Sequence, residues 1–310
     1  MHRLPCLSLC AAALACAPKT VPTATPPAAT EPTTACTPVD TSTAPEITRF
    51  VEGGLTIHSF VAPAVSASTA THVIESDEGL IVVDTQMLRD YARQFRAYVD
   101  GLDKPITHVI VSHAHPDHYF GLEFFEDRPT YALPATRQQV RQRQRFHLRM
   151  HRETEQECDA VTDRVRPVAN DLPTGAQTFA GVQLQIEHAK DAEDNDQAVL
   201  RIPAAKTLIL QDLMATDAHA FTGGGMVDGW REHLRRYADD PEIEHVLAGH
   251  GSPTDREGIV EMIAYLGESQ KILENASTAS QFTAAMQSAF PGRPGTYIID
   301  LMGMMEFDQP

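Results

Sequence analysis

Apolar and polar positions recur with two different periods between residues 47 and 310. Short runs rich in β-branched residues and bounded by turn residues are typical of strands. They predict strands at Leu55–Ala62, Thr71–Glu75, Leu80–Asp84, Ile106–Ser112, Val182–His188, Gln197–Ile202, Thr207–Asp212 and His245–Leu247. Helical spacing predicts helices at Met87–Leu102, Ala135–Glu157, Met226–Ala238 and Arg256–Asn275. Because strands and helices alternate, we expect a layered α/β fold in one large domain.

The N-terminus has a different pattern. One charged residue, Arg3, precedes the apolar run Leu4–Ala15. This arrangement is typical of a signal peptide over residues 1–15. The junction that ends at Cys16 resembles a bacterial lipobox, which implies lipidation of Cys16; simple cleavage after Ala15 is the alternative. We therefore expect an exported protein, either periplasmic or held at a membrane as a lipoprotein.

Residues 17–46 separate this signal from the domain. They contain 9 Thr, 7 Pro and 6 Ala in 30 positions. Such a composition cannot bury a core and favours extended conformations, so we expect a disordered tether. The predicted folded domain is therefore 47–310.

Charge and cysteine content narrow the choice of partners. The chain has 42 acidic and 25 basic side chains and a net charge of −17, which argues against nucleic-acid binding. No apolar window approaches the roughly 20 residues that span a bilayer, so we expect membrane contact only through the N-terminal anchor. Only Cys158 lies in the domain, which excludes a disulfide framework there. A small-molecule substrate is the expected partner, and the sequence does not indicate an oligomeric state.

The richest chemistry follows the predicted strand Ile106–Ser112. His113, His115, Asp117 and His118 occupy four of six positions. Imidazole and carboxylate groups are good ligands for a divalent ion such as zinc. Residues two apart in an extended segment point the same way, so His113 and His115 can hold one ion together.

This H-x-H-x-D-H pattern at a strand end resembles the metallo-β-lactamase superfamily. The resemblance covers most of residues 50–255 and implies a four-layer αββα sandwich with metal ions at the edge of its sheets. It also implies a bridging ligand at Asp212, in Gln211-Asp212-Leu213, and a last ligand at His250, between Gly249 and Gly251.

One segment departs from the superfamily pattern. Alignment back from Asp212 puts Glu193 where a histidine is usual. We prefer Glu193 as the ligand, with His188 at the end of the preceding strand as its rival. A carboxylate is a harder ligand than imidazole, so Glu193 could favour manganese or iron over zinc.

Three further features have both a functional and a structural interpretation. Asp84 ends a strand and could orient a ligand, or it could be a turn residue. His219 could contact substrate or metal, or it could be a loop histidine without a role. The arginine-rich segment Arg137–Arg152 could attract an anionic substrate or membrane, or it could be a solvated helix face paired with Glu153, Glu155 and Glu157.

The resemblance implies a hydrolase that uses a metal-bound hydroxide on an ester, lactone, amide or related bond. Two divalent ions, zinc in the first place, would share Asp212. His113, His115 and His250 would hold one ion, and Asp117, His118 and Glu193 would help to hold the other. Asp117 would also be the proton shuttle. The alternatives are an iron-dependent redox protein and a binding protein with a degenerate metal site; β-lactamase and lactonase activities both stay open.

Overall fold

The computed structural model describes residues 39–154, 158–223 and 226–307. The predicted signal peptide, Cys16 and residues 17–38 of the tether lie outside the described residues. Residues 39–46 belong to the predicted tether, yet part of this segment contacts the domain. The Thr41 hydroxyl donates to Asp90 at 2.6 Å, and the Tyr91 hydroxyl donates to the Thr43 carbonyl at 3.1 Å. Ordered structure therefore begins before residue 47.

The described chain forms strands and helices in alternation. The strands are β1 Glu46–Glu52, β2 Leu55–Val61, β3 Ala70–Glu75, β4 Leu80–Val83, β5 Ile106–Ile110, β6 Thr130–Ala132, β7 Asn170–Asp171, β8 Gly175–Phe179, β9 Val182–Lys190, β10 Asp196–Ile202, β11 Thr207–Ala215 and β12 His245–His250. The helices are α1 Arg89–Asp100, α2 Pro116–Tyr119, α3 Pro134–Arg149, α4 Val227–Ala238, α5 Arg256–Asn275, α6 Ala279–Ala289 and α7 Thr296–Phe307. No helix in the described ranges is long and apolar enough to cross a membrane.

The strands form two sheets. The first has the order β1-β2-β3-β4-β5-β6-β7 and is antiparallel up to β4, then parallel. The second has the order β12-β11-β10-β9-β8, and only its β11–β12 pair is parallel. The predicted ligands follow β5 in the first sheet or lie on β11 and β12 in the second, so they come from both sheets.

Three apolar layers hold the fold together. The middle layer joins the two sheets and contains Ile57, Ile81 and Leu200. A second layer packs α1 and neighbouring segments on the first sheet, and a third packs α4 to α7 on the second sheet. Three layers between four sets of elements make an αββα sandwich, so the predicted fold class is confirmed.

The predicted strands and helices recur with ends that shift by up to three residues, with one larger exception. The shifts of three residues are at β11, which continues beyond Asp212 to Ala215, and at β12, which reaches His250. The exception is the predicted helix Ala135–Glu157, in which α3 ends at Arg149 and a π-helical turn follows over Met150–Thr154. The sequence reading missed β1, β6, β7, β8, α2, α6 and α7. The strands β6 and β7 have three and two residues, too few to show a period.

Close contacts at the edge of the two sheets bring their strand ends together. The Ala198 backbone N–H donates to the Ser112 carbonyl at 2.9 Å, and the Gly251 N–H donates to the Ser68 carbonyl at 2.8 Å. Thr69 and His250 form an isolated antiparallel bridge. Residues after β5 and β12, and residues just before β3, therefore contact the opposite sheet at this edge.

We expect the packing of α4 on the second sheet to contribute strongly to stability. Leu234 is fully buried in that layer, whereas Val260 on α5 is 56% exposed. Leu234→Ala should lower the free energy of unfolding by about 2–5 kcal/mol, because it removes buried methyl groups and leaves a cavity. Val260→Ala should change it by less than about 0.5 kcal/mol. Urea unfolding of both variants measures the difference, and equal losses would contradict the assigned packing.

Candidate metal centre

Seven of the predicted ligands lie together at this edge in two groups. Within each group, the candidate ligand atoms all lie within 4.8 Å of one another. The first group contains His113, His115, Glu193 and Asp212; the second contains Asp117, His118, Asp212 and His250. Asp212 belongs to both groups, as expected for a bridging ligand.

The grouping differs from the division that the sequence analysis gave. His250 lies with Asp117, their Nε2 and Oδ2 atoms 3.3 Å apart, and not with His113 and His115. Glu193 lies beside His113 and His115, with carboxylate–nitrogen distances of 3.5 and 3.3 Å. The contact from Ala198 to Ser112 places the turn between β9 and β10 next to His113. The Thr69–His250 bridge, together with a hydrogen bond from Thr69 to Asp117, places His250 in the other group.

The structure also distinguishes Glu193 from His188, the two candidate ligands in the segment that departs from the superfamily pattern. Glu193 is 5% exposed and lies in the first group. His188, on β9, instead faces Asp196, with Nε2 2.7 Å from Oδ1. It belongs to neither group. The geometry therefore favours Glu193 over His188.

Asp84 orients one histidine of the second group. It follows β4, is fully buried and has a φ of +62°, a left-handed conformation that Asp tolerates. Its carboxylate accepts hydrogen bonds from the Ser112 N–H and hydroxyl, both at 2.7 Å, and from the Gln211 side chain, and lies 2.8 Å from His118 Nδ1. Because a carboxylate only accepts, Nδ1 of His118 carries a proton, and Nε2 faces the site.

Two other histidines are oriented in the same way. His250 Nδ1 lies 2.9 Å from the Ala67 carbonyl, which can only accept, so its proton is on Nδ1. His113 Nδ1 lies 2.9 Å from the Ser112 hydroxyl, whose single proton is already donated to Asp84. In all three residues Nε2 therefore points towards the carboxylates.

These Nε2 atoms give a test of whether the residues fit a metal ion. Several buried atoms have no hydrogen-bond partner among the described residues: His113 Nε2, His118 Nε2, Asp212 Oδ1 and both carboxylate oxygens of Glu193. His113 and His118 lie 3.4 and 3.1 Å from Asp212 oxygens. Ligands at about 2.0–2.1 Å from a tetrahedral zinc ion lie about 3.3–3.4 Å apart. Both the unsatisfied atoms and their spacing fit divalent cations.

The electrostatics lead to the same result. Burial raises the pKa of Glu193 well above its usual range, and the carboxylates of Asp212 and Asp194 raise it further. Burial lowers the pKa of His250, but Asp212 and Asp117 outweigh it and raise the value to about 9. Several buried carboxylates so close together need a compensating positive charge. A divalent ion in each group would supply it.

The backbone around Asp212 allows the ligand side chains to lie this close together. The β11–β12 ladder is irregular around Gln211, which has a φ of +44°, so Gln211 and Asp212 both face the site although they are consecutive. Gly249 lies so close that a Cβ there would be 1.9 Å from Asp212 Oδ1. Gly251, with a φ of +98°, turns the chain after His250.

A family model of the metallo-β-lactamase superfamily matches residues 67–250, which contain every residue of both groups. The chain belongs to the metallo-β-lactamase superfamily. Most members of this superfamily are metal-dependent hydrolases. A search of curated proteins gave no match.

Solved structures of metallo-β-lactamases share the fold. The chain is similar to an enzyme from Pontibacter korlensis, with 15% identity, a TM-score of 0.54 and coverage of 72% of this chain and 99% of the other. FIM-1 from Pseudomonas aeruginosa, in its mono-zinc form, gives 18% identity, a TM-score of 0.53 and coverage of 74% and 97%. An enzyme from Hirschia baltica gives 19% identity, a TM-score of 0.51 and coverage of 72% of this chain and 98% of the other.

In this superfamily member a cavity of about 600 Å³ opens beside both groups. His219, predicted as a catalytic candidate, lies in its wall but outside both groups, with Nδ1 3.0 Å from the Tyr265 hydroxyl. Burial, with Arg293 nearby, lowers the pKa of His219 to about 4, so this imidazole is neutral at pH 7. Its catalytic role stays a prediction.

Two residues of the arginine-rich segment, Arg143 and His147 on α3, lie in the cavity wall. Arg143 also pairs with Asp194 at 3.2 Å, next to Glu193. His147 Nδ1 lies 2.6 Å from the hydroxyl of the fully buried Tyr119. The arginine-rich segment thus has a partly structural role, and Arg137 likewise pairs with Asp171. The side chains of Glu153, Glu155 and Glu157, its predicted partners, lie outside the described residues.

We expect Asp84→Asn to weaken metal binding without unfolding the protein. An Asn amide nitrogen cannot accept the His118 Nδ1 proton, so the ring loses its fixed orientation. Metal affinity should fall roughly 10- to 100-fold, as for other residues that orient a ligand. Competition with a chromophoric chelator measures the affinity. Asp103→Asn is the control, because Asp103 also has a positive φ, +55°, but lies outside the centre; equal affinities for both variants would contradict the role of Asp84.

Proposed function

We propose that this chain is an exported hydrolase that binds two divalent metal ions. One ion is held by His113, His115, Glu193 and Asp212, and the other by Asp117, His118, Asp212 and His250. The observation that carries the proposal is the pair of ligand groups that share Asp212 and open on one cavity. Membership of a superfamily made up mostly of metal-dependent hydrolases supports it.

The chemistry divides between the ions and the chain. When bound, the ions act as Lewis acids and lower the pKa of bound water towards ~7, which provides a nucleophile at neutral pH. Asp117 lies at the cavity, 14% of its side chain exposed, where its carboxylate can accept a proton from water if only one ion is bound. The three oriented imidazoles need no rearrangement before the ions bind.

His147 lies in the cavity wall, where it can contact a substrate. If the Tyr119 hydroxyl accepted a proton from Nδ1, its own buried O–H would have no partner, which costs about 1–3 kcal/mol. Tyr119 therefore donates, and His147 carries its proton on Nε2. We infer that this Nε2–H donates to a substrate oxygen in the cavity.

Zinc is the first choice of metal, because imidazole and carboxylate together suit it. Glu193 adds a harder oxygen ligand to the first group, so manganese and iron are the second choice. The N-terminal pattern in residues 1–15 and Cys16 supports export and attachment to a membrane as a lipoprotein. The predicted location is the periplasm or the membrane surface facing it.

We expect metal content to distinguish Glu193 from His188. Glu193→Ala should lose one ion, or bind it at least about 100-fold more weakly, because a direct ligand is removed. His188→Ala should keep both ions, since His188 belongs to neither group. Elemental analysis after dialysis gives the metal-to-protein ratio of each variant. The opposite result, with the loss in His188→Ala, would overturn the assignment.

We expect Asp212→Ala to abolish hydrolysis, because both ions lose a shared ligand. The purified chain should first be screened with esters, lactones and β-lactams. On any substrate found, Asp212→Ala should reduce kcat/KM at least about 1000-fold. Asp228→Ala on α4, whose side chain is 86% exposed, is the control and should keep full activity. A folded and fully active Asp212→Ala variant would disprove the proposed function.

A further inference from the structure

The cavity beside the metal centre has a polar floor and apolar walls. The floor contains Asp117, Glu193, Asp212 and His250. Much of the wall consists of apolar side chains from α3, α7 and the loop before β3: Val65, Phe146, Met150, Tyr297, Leu301 and Met305. The volume of about 600 Å³ lies in the range of small-molecule sites. A molecule that reaches the floor must therefore lie along an apolar surface.

The mouth of the cavity is apolar as well. Four of its lining side chains are large, hydrophobic and exposed: Val65 46%, Phe146 55%, Tyr297 54% and Met305 41%. Only four other large hydrophobic side chains of the described residues are as exposed, Ile47, Val51, Val260 and Met304, and none lines this cavity. Apolar surface left exposed at one place marks a binding site.

The charge of the site does not favour an anionic substrate. The carboxylates of Asp117, Glu193 and Asp212 cancel three of the four positive charges of two divalent ions. Arg143 is the one lysine or arginine among the described lining residues, and it is paired with Asp194. Burial, with His151 and Arg143 nearby, lowers the pKa of His147 to about 4, so His147 is uncharged at pH 7. The net attraction for an anion is therefore small.

The apolar wall also depends on a segment outside the matched family region. Helix α7 begins at Thr296, whereas the family match ends at residue 250. It contributes Tyr297, Ile298, Leu301 and Met305 to the lining. The part of the wall formed by α7 is thus a property of this chain and is not implied by membership of the superfamily.

We propose that the substrate is an uncharged carboxylic ester or lactone with an apolar chain, which lies along the wall formed by α3 and α7. This inference rests on the proposed hydrolase function. In the reaction, a water oxygen forms a bond to the acyl carbon and the bond from that carbon to the alcohol oxygen breaks. One water proton goes to the alcohol oxygen, and the other is released when the product acid ionises.

A series of uncharged esters tests the chain preference. The full chain, loaded with zinc, is assayed with p-nitrophenyl acetate, butyrate and octanoate. Each buried methylene should raise kcat/KM up to about fourfold, so octanoate should exceed acetate by at least about tenfold. A flat or falling series, or faster turnover of an anionic β-lactam, would overturn the inference while the hydrolase function stands.

Two neighbouring methionines provide a matched pair of variants. Met305 lines the cavity, whereas Met304 is similarly exposed, at 53%, and does not. Met305→Ser should lower kcat/KM for octanoate roughly three- to tenfold and leave acetate unchanged. Met304→Ser should change neither. Equal effects of both variants would contradict the assignment of the wall.

A binding assay decides the case in which no ester is hydrolysed. The fluorescence of N-phenyl-1-naphthylamine, an uncharged apolar dye, rises when the dye enters an apolar site. The metal-free chain should bind the dye, octanol should displace it, and Met305→Ser but not Met304→Ser should weaken binding at least about threefold. This result with no ester turnover would retain the apolar site and reject the proposed hydrolysis. Absence of dye binding would reject the apolar site itself.

Discussion

The Nε2 atoms of three buried imidazoles point at buried carboxylate oxygens, and most of the structure around the site follows from this constraint. His113, His118 and His250 each use Nδ1 for a hydrogen bond directed away from the centre. Their Nε2 atoms lie 3.1–3.4 Å from the Asp212 carboxylate. At that distance a proton or a metal ion must lie between the nitrogen and the oxygen, because their lone pairs would otherwise repel each other. The site is therefore built for positive charge, and Asp212 is the point at which the two ligand groups meet.

The sandwich makes this arrangement rigid. Ligands come from both sheets, and hydrogen bonds between the sheets hold the two sets of strand ends in place. Local departures from regular structure occur where they are needed: the left-handed φ of Asp84, the irregular ladder at Gln211 and the close approach of Gly249 to Asp212. Irregular backbone at a strand end is a common way to aim side chains at a functional site. A buried core of three layers stabilises these local distortions.

Much of this could be predicted from the sequence, because strand periodicity and the dense run from His113 to His118 are local signals. The αββα fold followed from resemblance. The division of ligands between two groups did not, because it depends on which strand ends meet across the two sheets. The apolar side chains that α3 and α7 contribute to the cavity wall were not predicted either. The apolar residues of α7 lie on most sides of the helix, so they give no single apolar stripe in the sequence. In α3, the many arginines make the helix look uniformly polar, so the side that carries Phe146 and His147 does not stand out.

The most direct measurement is anomalous diffraction from crystals of the zinc-loaded chain, recorded at the zinc absorption edge. We expect two peaks, one on each side of the Asp212 carboxylate. The first should lie beside His113, His115 and Glu193, and the second beside Asp117, His118 and His250. No peak within bonding distance of Asp212, or a peak bound by His188 instead of Glu193, would contradict it.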